Sequence, residues 1–233
     1  MRTNYGSIVD GYMNYATNQE LPEWILGHKP IIQALEPLSG KTILDLGCGP
    51  ANFSSVLTEQ GAVIIGYDAD PTVIENARRN DPKGDYRVNR GLIAQDLNGK
   101  QVDEIIATFS ICVIPNRELR YILRDLREVL KPGGRFLILE PNQLGSGIKY
   151  AKLHYHHKKN VRTGDLVSVT LGSGESTCEL TDDIYRTHAD YRQLLEEAGF
   201  TIDQFEEPRP DPSWEGDWEL EAKYPPFLLI VAH

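Results

Sequence analysis

The chain has 233 residues, 40% hydrophobic and 25% charged, a balance that suits one folded α/β domain and marks no stretch as disordered. Its net charge of −10 argues against a nucleic-acid partner, whose binders carry a basic footprint to neutralise phosphates. Cys48, Cys112 and Cys178 stand far apart, outside any C-x-x-C spacing, so free thiols in a reducing compartment are expected, with no disulfide framework and no metal.

The first forty residues, with Tyr5, Tyr12, Tyr15 and Trp24, read as one or two helices capping the fold. Thr42–Leu46 is a short apolar run that ends in glycines, and a helix-like stretch, Phe53–Gln60, follows. A second run, Val63–Tyr67, meets Asp68, and the next helix opens with Asp70 as N-cap and Pro71 at its first position. Further strands are expected near Tyr86–Asn89 and at Glu104–Phe109, then a helix over Leu119–Leu130. Lys131 to Gly134 breaks the chain ahead of the run Arg135–Leu139.

Short apolar runs separated by helices are what a parallel sheet covered on both faces requires, so the predicted fold is a doubly wound α/β sheet. Residues 143–180, rich in Gly, Ser, His and Lys with a strand-like run at Leu166–Leu171, read as an insertion over the sheet's carboxyl edge, where ligands sit. A helix, Asp190–Ala198, ends at Gly199, and strands at Thr201–Phe205 and Phe227–Ala232 flank a Pro-, Trp- and acid-rich loop in which Trp214 and Trp218 act as anchors. The expected organisation is one domain: a helical cap over 1–40, a core over 41–142, a lid over 143–185 and a C-terminal part over 186–233. No apolar run approaches about 18 residues, and the start lacks a signal-like core, so a cytoplasmic protein with no membrane partner is expected.

The strongest chemical signal is the run from Ile43 to Phe53, in which a strand ends in Gly47-Cys48-Gly49 and a helix begins. Such glycines let the backbone turn sharply and let a ligand approach, and a helix start presents unpaired N–H groups. A glycine loop alone is equally a tight βα turn. Asp45 lies just before the glycines, where a carboxylate disfavours pyrophosphate and suits a cationic amine. Asp68 ends the second strand, placed to accept from ribose hydroxyls.

With these features the sequence resembles the class I S-adenosylmethionine-dependent methyltransferases, through Leu44 to Gly49, Gly66 to Pro71 and Leu126 to Pro141. The resemblance implies a Rossmann-like seven-stranded sheet whose last strand is antiparallel and inserted between the fifth and sixth. It implies S-adenosylmethionine as cofactor, S-adenosylhomocysteine as product, and methyl transfer as the activity. Asp45, Gly47 and Gly49, with Cys48 between them, then border the methionine part, Asp68 holds the ribose, and Ala69 lies beside the adenine. Two departures stand out. Ala51 replaces a frequent glycine, and Gly91 is followed by Leu92 and Ile93 where the family often has an acid, so either backbone groups there or Gln95 or Asp96 meets the adenine. Phe109 and Ser110, at the end of the fourth strand, are expected beside the cofactor and the acceptor respectively.

Methyl transfer draws much of its catalysis from holding the nucleophile near the methyl, so no universal catalytic residue is demanded. Histidine is the usual base where a proton must leave. His154 and His157 share a face with Tyr150 and Leu153 if the stretch from Lys149 to Lys159 is helical, giving a lid that presents a base; equally, that helix is only a solvated amphipathic one. A metal site at His154, His156 and His157 is disfavoured because no acid or cysteine accompanies them at ligand spacing. His188 is the third candidate base and Arg186 a candidate substrate contact, against the simpler reading that Thr187 or Asp190 caps a helix. Tyr15 is expected over the cofactor, and Tyr12 and Tyr150 against the substrate, unless they merely pack. The expected acceptor is a small molecule methylated on oxygen or nitrogen, with secondary metabolism one setting, by a monomer or homodimer. An RNA or protein methyltransferase and a non-catalytic cofactor-binding relative are the alternatives.

Overall fold

The apolar runs become the strands of one seven-stranded sheet in a computed structural model that describes residues 20–143, 147–156, 160–173 and 176–233. A π-helical turn (Glu23–His28) leads into α1 (Lys29–Leu35). There follow β1 (Thr42–Leu46), α2 (Asn52–Glu59), β2 (Val63–Asp68), α3 (Pro71–Asn80), β3 (Asp85–Val88), α4 (Ile93–Leu97) and β4 (Val102–Thr108). After a 3-10 turn (Ile111–Val113) come α5 (Asn116–Val129), β5 (Leu130–Pro141), β6 (Leu153–Tyr155), β7 (Leu166–Ser173), β8 (Ser176–Ile184), α6 (His188–Glu197), β9 (Ile202–Glu206), α7 (Glu219–Lys223) and β10 (Phe227–Ala232).

The strand order is β3-β2-β1-β4-β5-β10-β9, parallel from β3 to β5, with β10 antiparallel to both neighbours. This is the doubly wound arrangement expected from the sequence. Both faces are covered, so successive strand residues enter different cores. Leu137, Leu139, Phe227 and Leu229 join the side under α1, α2 and α3, whereas Phe136, Ile138, Leu228 and Ile230 join the side under α5 and α6.

Local signals hold at the caps. Asp70 accepts from the N–H of Thr72 at 2.7 Å with Pro71 in the first turn. Thr187 and Asp190 form a capping box that starts α6. The Lys131 to Gly134 segment does not separate helix from strand. It bulges within β5, whose pairing jumps from Val102↔Leu130 to Glu104↔Arg135, with Gly133 at φ +78°.

The insertion differs more. The stretch around Tyr150 to His156 is extended, not helical: β6, β7 and β8 form a separate three-stranded antiparallel sheet. Leu153, Tyr155, Val169, Leu171, Cys178 and Leu180 alternate inward and join the core that holds Trp24 and Phe227. Period two wins because the stretch has a sheet partner and a core to face.

Candidate active site

Between β1 and α2 the chain turns through Gly47 at φ +72° and Gly49 at φ +53°. The amides of Gly47 and Cys48 both donate to the carbonyl of Tyr67, tying the loop to the end of β2. A Cβ built on Gly49 would meet nothing within 4 Å, so open space lies in front of the loop. Ala51 occupies the left-handed region at φ +66°, where the family often has glycine, and the turn geometry survives the substitution. Cys48 turns its side chain away into the core, and burial pushes its thiol well above the usual range.

Asp45 is buried behind this loop. One carboxyl oxygen accepts from the Ser54 hydroxyl, and the other, Oδ1, is buried with no hydrogen-bond partner among the described residues. Burial pushes its pKa up to about 7; the Ser54 bond opposes this and the charge of Asp68 adds to it. An unmatched buried carboxylate oxygen is costly, and a cationic amine arriving there would satisfy it. Asp68 accepts from the amide of Gly49 at 3.1 Å and from that of Asp70 at 3.0 Å. A carboxylate has about four lone-pair sites, so room remains for a hydroxyl donor. Desolvation raises the Asp68 pKa, and the backbone N–H bonds counter it. Glycine cradle, orphaned oxygen and half-engaged acid fit a nucleoside that carries an amino acid.

Beyond β4, Phe109 sits at φ +53°, a conformation that costs a non-glycine residue about 1–3 kcal/mol and is held only where the surroundings impose it. They do: its amide donates to the Leu139 carbonyl at 2.8 Å, and its ring packs edge-on against Phe227. The Ser110 hydroxyl donates to the Leu46 carbonyl at 2.6 Å. The amides of Ser110 and Ile111 donate to Oε1 of Glu140, a fully buried residue at the end of β5 whose pKa burial pushes up to about 8.

This edge of the sheet borders a mostly apolar cavity. Leu21, Trp24 and His28 line it from the N-terminal segment, Phe109, Cys112, Pro141 and Phe227 from the large sheet's edge, and Tyr155, Leu171 and Asp183 from the small sheet. His28 stacks on Phe53 of α2 with ring centroids 4.3 Å apart, so it bridges the cofactor loop and the cavity. The residue keeps some surface, but its Nδ1 is buried with no hydrogen-bond partner among the described residues. Burial pushes its pKa down to about 3, so the ring is neutral.

The structure brings Asp45, Gly47, Gly49, Asp68, Ala69, Phe109 and Ser110 to one edge of the sheet. It sends others elsewhere. His154 lies on the small sheet's outer face beside Thr170, opposite the inward Leu153 and Tyr155. The Tyr150 hydroxyl donates to the Tyr224 carbonyl at 2.6 Å and braces a loop; the residue does not line the cavity. Arg186 is buried, donating to the carbonyls of Ile111 and Ile114 and to Asn116 Oδ1, so its guanidinium is already engaged. His188 faces Asn142 at 3.1 Å and stacks edge-on with Phe205, outside the cavity lining. Ile93 is core, and Asp125 takes its amide at 2.5 Å, whereas Leu92 stands 62% exposed on a groove that Asp96, Gln95 and Arg87 share. Asp96 is held by Tyr67 and Arg87. Trp214 and Trp218 pack edge-to-face on one another. Tyr5, Tyr12, Tyr15 and His157 lie outside the described residues. Among those described, no group of three or more His, Cys, Asp or Glu can hold a metal, and no helix is long and apolar enough to cross a membrane.

Sequence reasoning missed His28, Glu140 and Asp183. The one available signal was chemical type: a histidine between apolar helical residues, and acids inside strand-like runs.

A family model described as a methyltransferase domain matches residues 24–204. The N-demethylindolmycin N-methyltransferase of Streptomyces griseus is 25% identical over 231 residues, covering 93% of each chain. An uncharacterized methyltransferase of Synechocystis is 27% identical over 177 residues, covering 75% of this chain and 74% of the other. The crystal structure of an S-adenosylmethionine-dependent methyltransferase from Mesorhizobium loti superposes with a TM-score of 0.63 at 20% identity, over 91% of this chain and 97% of that one.

Proposed function

The chain belongs to the class I S-adenosylmethionine-dependent methyltransferase family, and from that premise we propose that it methylates an oxygen or nitrogen of a small, largely apolar molecule. The observation that carries the acceptor reading is the cavity: aromatic and aliphatic walls, closed over by the small sheet and opening beside the end of β4. An RNA or protein acceptor calls for an open groove instead. The Streptomyces griseus relative, an N-methyltransferase by its name, is in keeping with a small acceptor.

S-adenosylmethionine, when bound, supplies a methyl group on a cationic sulfur. The chain's own part is to bind, orient and exclude water. Asp45 Oδ1 meets the cofactor's amine, the glycine loop lets its backbone come close, and Asp68 takes the ribose hydroxyls. Trp24 and Tyr155 keep water from the cavity, while the strained Phe109 backbone fixes the wall where acceptor and methyl meet. We assign residues 143–185 as the lid of this chamber. Orientation of this kind can offset roughly 7–11 kcal/mol of barrier, which is why the site functions without a catalytic triad.

Calorimetric titration of the full chain with S-adenosylhomocysteine and, separately, with NAD tests the cofactor reading. Binding of the first on the order of micromolar, with none of the second, is expected; silence with S-adenosylhomocysteine overturns it.

A further inference from the structure

One buried side chain bears on which acceptors the cavity selects. Asp183 lies on β8 in the cavity wall, 3% exposed. Leu180 and Asp183 are three residues apart, so strict alternation would put them on opposite faces. β8 carries one extra residue there: Val169 pairs with Leu180, but Val167 pairs with Asp183. The bulge turns the carboxyl inward beside Leu180, where the cavity is.

The carboxyl is poorly matched once inside. The Cys112 thiol lies beside it, but that one S–H is shared with the Glu140 carboxyl. Arg186 is the nearby cation, already donating to two carbonyls and Asn116, and its charge is shared between Asp183 and Glu140. Burial, with Asp182 adjacent, pushes the Asp183 carboxyl up to about 7, against the weaker pull of Cys112 and Arg186. The rest of the wall offers the neutral His28 ring and the aromatic rings of Trp24 and Phe109. Among the described residues, no lysine or arginine lines the cavity. Aromatic faces and two carboxyls, Asp183 deep on β8 and Glu23 on the N-terminal segment, suit a group with N–H donors and positive charge, and repel an anion.

We propose that the acceptor is a flat, apolar amine whose nitrogen is held by Asp183, which takes the proton from its ammonium form. This rests on the methyltransferase reading above and deepens it. In the proton transfer an ammonium N–H bond breaks, its electron pair stays on nitrogen as the lone pair, and the proton joins the carboxylate to give a neutral acid. The neutral pair wins because keeping two charges in an apolar cavity costs more than moving one proton. The freed lone pair is the one a methyl transfer consumes.

The test uses the full chain saturated with S-adenosylhomocysteine and three probes of one shape: tryptamine, its hydroxyl isostere tryptophol, and indole-3-acetate. Tryptamine is expected to bind at least tenfold more tightly than tryptophol, with indole-3-acetate weakest. Asp183→Asn is expected to erase the tenfold preference while leaving tryptophol binding unchanged, and Asp183→Glu to restore part of it. Equal binding of amine and alcohol by the unmodified chain, a preference that persists in Asp183→Asn, or no binding of any probe overturns the proposal. The unmodified chain decides the first outcome even if the variants fold poorly. S-adenosylhomocysteine affinity, read in the same samples, separates the two claims. Its loss from the unmodified chain sinks the methyltransferase reading; its presence without an amine preference sinks only this inference.

Discussion

A Cβ added to Gly47 would lie 2.3 Å from the Cβ of Ser110. The two loops that frame the reaction edge, after β1 and after β4, are thus packed with no room for one carbon, and the Ser110–Leu46 hydrogen bond fastens them. Gly47→Ala faces both this clash and a left-handed backbone, and is expected to cost about 1–3 kcal/mol of stability. Gly49→Ala shares the left-handed backbone strain but has open space, so it should lose less stability than Gly47→Ala yet lose cofactor affinity as its methyl enters the ligand's path. Thermal melts and calorimetry on the pair check this; equal loss of stability in both would refute the clash argument.

Asp45 gives a pH dependence with a definite sign. Its folded pKa, about 7, lies above the ordinary carboxylate value, so the folded chain holds a proton that the unfolded chain has released. The resulting stability is fully present below about pH 4, the unfolded value, and is lost as pH rises through about 7. Asp45→Asn should flatten the slope across that window by up to about 1.4 kcal/mol per pH unit, and should weaken cofactor binding. Urea midpoints for both chains at several pH values measure the difference; identical slopes would remove Asp45 from the account.

Asp68→Asn keeps the side chain's shape but removes its charge and one acceptor site. A loss of roughly 1.5–3 kcal/mol in cofactor affinity is expected, the scale of a hydrogen bond to a charged partner. Unchanged affinity by calorimetry would end the ribose assignment.

Arg186 and His154 make a contrasting pair. Arg186→Met strips three acceptors of their donor and leaves Glu140 and Asp183 without a neighbouring cation, so a stability loss of about 3–5 kcal/mol is expected. His154→Gln, on the outer face of the small sheet, should leave stability within about 0.5 kcal/mol and cofactor affinity unchanged. Denaturant melts and titrations report both; an affinity loss in His154→Gln would return that residue to the site.

The core and cofactor loop were readable because their signals are local. Apolar runs such as Val63–Tyr67 are punctuated by glycines, Asp70 and Pro71 mark a helix start within two positions, and Asp45 and Asp68 sit at strand ends. The small sheet was not readable in the same way. Tyr150, Leu153, His154 and His157 fit a helical face, while Leu153 and Tyr155 fit a strand face, and so short a stretch cannot favour either until a partner strand exists. Asp183 is harder still, because a bulge in the pairing of β7 with β8 decides which way it points. Arg186 reads as a substrate contact from the resemblance, because that segment often lines the acceptor pocket in the family; its carbonyl partners come from the turn after β4, some 70 residues earlier.

Among the described strands, the three of the small sheet follow one another in the chain and form a sheet of their own. Its ladder therefore closes without help from the large sheet, and what holds the roof down is side-chain packing along its inner face together with the Tyr155 hydroxyl bonded to the Pro226 carbonyl. Such a unit can swing away whole, its own ladder intact, in a local opening that needs far less free energy than global unfolding. Amides of β1, β4 and β10 should exchange with solvent only when the molecule unfolds, and contacts beneath the roof should break first, so that entry to the chamber is a matter of breathing and not of a permanently open door.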